Sequence, residues 1–169
     1  MVFLWAGEAA HAMRFTKTNY LNALIMAEDI KRVGSECLGF RARLLSRVIT
    51  AVYDDALAEV GLKVSQFSVL NAVASREDTR PAELAKFLEM DESTLSRNVA
   101  RMCARGWLRL EPGEDDRRSH QITITEMGKA LLRKGYPAWQ QAQSQVAHKL
   151  GPDGVAALKS VVRKLRQPD

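Results

Sequence analysis

Residues 91–128 carry the residue types that recognise nucleic acid. Ser93, Thr94, Ser96, Arg97, Asn98 and Arg101 crowd one short segment, and Arg117 and Arg118 follow in an acidic loop behind Asp116. An arginine can fork two hydrogen bonds onto guanine O6 and N7, and an asparagine can do the same on adenine. Hydroxyls suit phosphate oxygens, which position a protein without specifying a sequence. Arg97 and Arg101 are four residues apart, so on a helix they share a face. The chemistry this implies is readout of double-stranded DNA, with a helix in the major groove and an arginine-bearing hairpin against the minor groove.

Those side chains need elements to hold them. Asp91 is an N-cap residue, and Leu95, Val99 and Met102 repeat at spacing four and three behind it. That stripe predicts a helix pinned to a core, its polar face left outside, ended by Gly106. Leu108 and Leu110 then alternate with Arg109 and Glu111, Pro112 and Gly113 turn the chain, and Ile122 and Ile124 alternate with Gln121, Thr123 and Thr125. The pattern predicts a hairpin around a charged loop over residues 114–120. Glu114 and Asp115 would repel DNA and must point away from it.

Upstream, residues 37–60 predict a long helix with Leu45, Val48, Ile49, Val52 and Ala56 on one side and Gly61 at its end. Ser65 is placed as the cap of a second helix with Phe67, Leu70 and Val73 inward. Thr79, Arg80 and Pro81 open a third, carrying Leu84, Ala85 and Leu88. Downstream, Thr125 caps a helix expected to bend or break at residues 135–137, where glycine and proline flank Tyr136. Gly151 and Pro152 start a last helix with Val155, Leu158, Val162 and Leu165 at three, four, three, the narrow stripe of a helix packing on a partner helix. Residues 1–35 read as an extension, with Thr18 capping a short helix that carries Leu21, Leu24, Ile25 and Ile30; an arm across a dimer and a tolerated tail are both open readings. The fold class is mainly α with a small β-hairpin wing. The expected organisation is an extension (1–35), a helical dimerisation region (36–60 and 126–169) and a DNA-binding domain (61–125).

Bulk properties set the limits. The chain has 169 residues, 46% hydrophobic and 27% charged, enough for one core with appendages. Its pI of about 9.4 invites a nucleic-acid reading. Yet residues 80–125 hold eight basic and eight acidic residues, so the excess sits at the ends and the argument rests on which face each arginine occupies. The longest apolar stretches, 1–6 and 21–27, fall far short of the ~20 residues of a spanning helix, and the first lacks the flanks of a secretory signal. Cys37 and Cys103 are too few for a disulfide framework and suit a reducing, cytoplasmic setting. His11, His120 and His148 are scattered, so neither a metal nor another cofactor is expected. Nucleophile-elbow, phosphate-loop and zinc-protease motifs are absent, which argues against an enzyme. Tyr53, Phe67, Tyr136 and Trp139 suit core packing, with an aromatic pocket as the sharper alternative.

Taken in order, Ser65, Gln66, Phe67, Val69 and Leu70, then Glu83, Leu84, Ala85 and Leu88, then Ser93 to Arg97, then Asp116, Arg117 and Arg118, then Thr125 and Gly128 resemble the multiple-antibiotic-resistance regulator (MarR) family. The resemblance covers residues 37–166. It implies a homodimeric winged helix-turn-helix transcription factor whose first and last helices interleave with those of a second copy. It implies a pseudo-palindromic operator and, for many members, repression relieved by a small, often aromatic and anionic effector bound between the dimer helices and the DNA-binding lobe. It also gives Asp116 the role of orienting a wing arginine, with Arg118 at the minor groove and Arg117 at a phosphate; a guanidinium already held loses less entropy on binding. Peroxide-sensing members carry a cysteine in the first long helix. Counted back from Ser46, Arg47, Thr50 and Tyr53, it would fall near Gly39, two residues after Cys37 and about 200° around the helix. That offset turns the side chain elsewhere, so an inert thiol is the main reading of Cys37 and a redox role the alternative; a winged helix that binds only protein is another.

Overall fold

The computed structural model describes residues 17–76, 79–112 and 120–167. Its elements are α1 (Lys17–Glu36), α2 (Leu38–Leu57), a 3-10 turn (Ala58–Val60), α3 (Val64–Ala74), α4 (Pro81–Leu88), α5 (Glu92–Ala104), β1 (Leu108–Pro112), β2 (His120–Ile124) and α6 (Glu126–Leu165). The chain divides into two compact units at Leu45 and Ser46.

In the first unit, α1 begins at Lys17, so Thr18 lies inside the helix rather than capping it. Cys37 alone separates α1 from α2, so the helix expected from residue 37 starts one residue later. Helical hydrogen bonding runs through the junction: Cys37 N–H donates to Val33 O at 3.1 Å, and Arg41 N–H to Cys37 O at 3.1 Å. The Arg41 guanidinium donates back to Ser35 O. Ile25, Met26, Ile30, Val33, Leu38, Phe40 and Leu44 are all exposed.

The second unit holds the core. Leu57, Leu62, Leu70, Leu84, Leu95, Met102, Leu108 and Ile122 are almost wholly buried. Gly61, at φ 71°, ends the 3-10 turn as expected. The next helix starts at Val64, before Ser65. Its first amides are met from elsewhere: Gln66 Oε1 accepts from Lys63 N at 3.0 Å, and Asp54 Oδ1 from Val64 N at 2.7 Å. An acceptor ten residues upstream therefore does what a local serine was expected to do. Pro81 opens α4 with Leu84 and Ala85 buried.

β1 and β2 pair antiparallel, Leu108 opposite Ile124 and Pro112 opposite His120. Pro112 is thus paired within the ladder, and Gly113 and the loop expected over residues 114–119 lie outside the described residues. Ile122 N–H donates to Thr79 O at 2.8 Å, tying the hairpin to the segment before α4. Leu108 and Ile122 are buried, whereas Leu110, the cross-strand partner of Ile122, is 47% exposed.

Thr125 caps α6 as expected, its Oγ1 accepting from Gly128 N at 3.0 Å. The break expected at residues 135–137 is not there. α6 stays helical through Pro137, and its one non-helical residue is Gly151, at φ 67° and ψ 169°. A proline costs an interior helix one hydrogen bond and some crowding. Here packing outweighs that cost: Gly135 is buried against Phe67 and Leu62, and Tyr136 stacks on Trp139. At Gly151 and Pro152 no comparable packing holds the backbone, and the residue before a proline is pushed out of the helical region.

Candidate nucleic-acid interface

α5 is built from its first turn outwards. Asp91 is extended, at φ −61° and ψ 135°, and accepts from Thr94 N at 3.0 Å and Ser93 Oγ at 2.5 Å. These bonds favour the ionised carboxylate, the serine hydroxyl first and the threonine amide second, and hold Asp91 below the usual carboxylate range. A depressed acid contributes stability above its unfolded pKa and loses it as pH falls through the folded one. Acidification should therefore fray the first turn of α5. In Asp91→Asn, which keeps an oxygen acceptor but does not titrate, amide exchange at Thr94 should lose its acid dependence.

Leu95, Val99 and Met102 are buried, so the expected stripe anchors α5. Ser93, Thr94, Ser96, Arg97 and Arg101 are exposed along it, and Asn98 is half-buried at its edge. Arg97 Nη2 reaches Ser93 Oγ at 3.4 Å and Thr94 Oγ1 at 3.3 Å, and Arg101 Nε donates to Arg97 O at 3.2 Å. Both guanidiniums lie back along their own helix. Asp116, Arg117 and Arg118 fall outside the described residues. Arg109 is exposed on β1, and Arg105 sits 4.9 Å from the Trp107 ring centroid. Neither was singled out as a candidate, although the alternation of β1 already places Arg109 on its outer face.

The aromatics divide. Phe67 and Tyr136 each stack on Trp139, at centroid distances of 6.3 and 5.5 Å. With Phe87 and Leu88 they line a cleft of about 300 Å³ between α3, α4 and α6, edged by Ser68 and Asn71. Tyr53 belongs to a separate cluster with Ala142 and Val146, where its hydroxyl donates to Gln143 Oε1 and burial raises its pKa. Cys37 is half-buried, with Sγ accepting from Phe40 N at 3.4 Å. Cys103 packs beside the core, where burial raises its thiol pKa. Among the described residues no cluster of His, Cys, Asp and Glu could hold a metal ion. No described helix is long and apolar enough to cross a membrane.

The segment matched by the MarR family model, residues 60–119, takes in α3, the helix-turn-helix of α4 and α5, and β1, the first strand of the wing. Over residues 60–119 the chain matches the MarR family, and over a longer span it is similar to regulators of that family. MarR of Escherichia coli (strain K12), the multiple antibiotic resistance protein, is 24% identical over 129 residues, spanning 76% of this chain and 90% of that protein. The transcriptional repressor NicR of Pseudomonas putida is 28% identical over 135 residues, 80% of this chain and 85% of the relative. Among solved structures, Bordetella bronchiseptica BpsR, whose DNA binding is regulated by 6-hydroxynicotinic acid, aligns with a TM-score of 0.72 and 25% identity over 80% of this chain and 96% of that one. The fold is thus that of MarR-family winged-helix transcriptional regulators.

Proposed function

We propose that this chain is a homodimeric, sequence-specific DNA-binding repressor of the MarR family, released from its operator by a small aromatic molecule. The observation that carries the reading is the anchored α5, with exposed Ser93, Thr94, Ser96, Arg97 and Arg101 on a helix whose opposite side is core. Asn98 joins them at the edge of the major-groove face. Arg117 and Arg118, supported by Asp116, serve the minor groove and phosphates. Residues 36–60 and 126–169 form the dimer region around the 61–125 reading domain, and residues 1–35 extend it. Exposed Leu38, Phe40 and Leu44 on α2 and Val161, Val162 and Leu165 on α6 supply apolar surface that a second copy covers. The aromatic cleft is the effector site. An occupant need only favour a dimer geometry in which the two α5 helices no longer match one turn of DNA, about 34 Å. Such a regulator works in the cytoplasm, where its DNA is.

The test is a gel shift on the DNA immediately upstream of the protein's own coding region, with scrambled duplex as competitor at stated salt. Specific binding at about 10⁻⁸ M or tighter, weakening steeply with salt, is expected. Adding 6-hydroxynicotinic acid as a first probe should release it. Binding abolished equally by scrambled competitor would favour a protein-interaction module.

A further inference from the structure

Three helix ends meet at Phe87, the penultimate residue of α4, and the last of them brings a cation into the helix-turn-helix. Arg166, at the C-cap of α6, donates from Nη2 to Phe87 O at 2.8 Å and from Nε to Glu89 Oε1 at 3.1 Å. Its guanidinium lies 5.7 Å from the Phe87 ring centroid, and that of Arg76, just past α3, lies 3.8 Å from it. Phe87 O is one of the carbonyls a helix leaves unpaired at its C-terminus. A cation there also opposes the negative end of the helix dipole. Arg166 thus caps a helix other than its own.

The capped end is the turn that aims α5. Glu89 takes the left-handed conformation, φ 51° and ψ 44°, which residues with a Cβ resist. Its N–H and that of Met90 close back onto Lys86 O at 3.3 Å and Ala85 O at 2.9 Å. Asp91, the α5 cap, follows at once. One fork therefore grips both the last turn of α4 and the strained residue that sets the angle between the two helices.

We propose that Arg166 is a positioning residue for DNA reading, through which the end of α6 fixes the attitude of the recognition helix. The ion pair is exposed, with side-chain exposures of 42% and 69%, so it contributes little to global stability. What it contributes is orientation of a turn that α5 inherits. The inference rests on the proposed DNA-reading role of α5 in one of its two measurements only.

The experiment uses the full chain and three proteins: wild type, Arg166→Ala and Arg166→Lys. Lysine keeps the charge but cannot fork onto both acceptors. The first readout is amide exchange by NMR. Exchange at Glu89 and Met90 should speed up in both variants while the thermal midpoint stays in place. The second is discrimination between random duplex and the sequence that wild type selects from a random pool. The ratio should fall about fivefold in both variants, with binding to random duplex unchanged in Arg166→Lys. Wild-type exchange at the turn would overturn the proposal, and so would faster exchange with undiminished discrimination. Restoration of discrimination by lysine would also overturn it, since charge alone would then suffice. If wild type selects no sequence, the DNA reading fails, and the exchange measurement decides whether Arg166 holds the turn.

Discussion

Replacing Arg97 with alanine should weaken binding to specific DNA by about tenfold or more and leave binding to random duplex nearly unchanged, because a forked arginine–guanine contact discriminates by about 1–3 kcal/mol. The geometry makes Arg97 the residue to test. It is exposed on the outer face of a helix whose inner face is wholly buried, so α5 itself does not depend on it. Its contacts to Ser93 and Thr94, at 3.4 and 3.3 Å, are long and made to neutral oxygens, so a base edge can displace them at little cost. In a dimer both copies are lost together. Arg97→Lys should recover little, since an ammonium keeps the charge but not the planar fork. Titration of a selected duplex against random competitor at fixed salt separates the two contributions. Equal loss on both duplexes would mean that Arg97 meets only phosphate.

The largest effect on stability is expected at Gly128. Alanine in place of glycine within a helix ordinarily stabilises by up to about 1 kcal/mol. At Gly128 the sign should reverse. A Cβ would lie 2.2 Å from Trp107 O and 2.8 Å from Ile124 Cγ1. The carbonyl is held in place, because Thr125 N donates to it at 3.1 Å and the Thr125 hydroxyl, 2.6 Å from Gly106 O, lies 3.1 Å from it. The added methyl must therefore push the first turn of α6 off the base of the hairpin. Gly128→Ala should cost about 3 kcal/mol or more in urea unfolding, at the upper end for overpacking. Gly34→Ala is the control: α1 has nothing within 4 Å of a Cβ there, and no destabilisation is expected. A Gly128→Ala protein as stable as wild type would show that the α6–hairpin junction is slack.

The recognition segment was legible in the sequence because it depends on local rules. A cap at Asp91, a stripe at Leu95, Val99 and Met102, and a stop at Gly106 all act within a few residues of one another, and each took its expected place. The same holds for Thr125 and for Leu84 and Ala85 in α4. With the order of motifs, that was enough for the winged-helix class and the outward face of α5. Periodicity also placed Asn98 with the others, but it cannot say how far a flank is covered, and Asn98 is half-buried.

What the tertiary structure decided are the places where a distant group outweighs a local preference. Val64 rather than Ser65 begins α3 because Asp54, ten residues away, accepts its amide. α6 runs through Pro137 because Gly135 is pressed on Phe67 and Leu62, and it breaks at Gly151 where no such packing resists. Gly128 reads as a family motif, but only the approach of Trp107 O explains why no side chain fits there. Arg166 is one more charge near the end of the sequence until folding sets it on Phe87 and Glu89, seventy-nine and seventy-seven residues back. Spacing along a chain reports which side chains share a face. Which neighbour that face meets, and whether its packing exceeds the cost of a proline or a strained turn, depends on contacts that exist only once the chain has closed on itself.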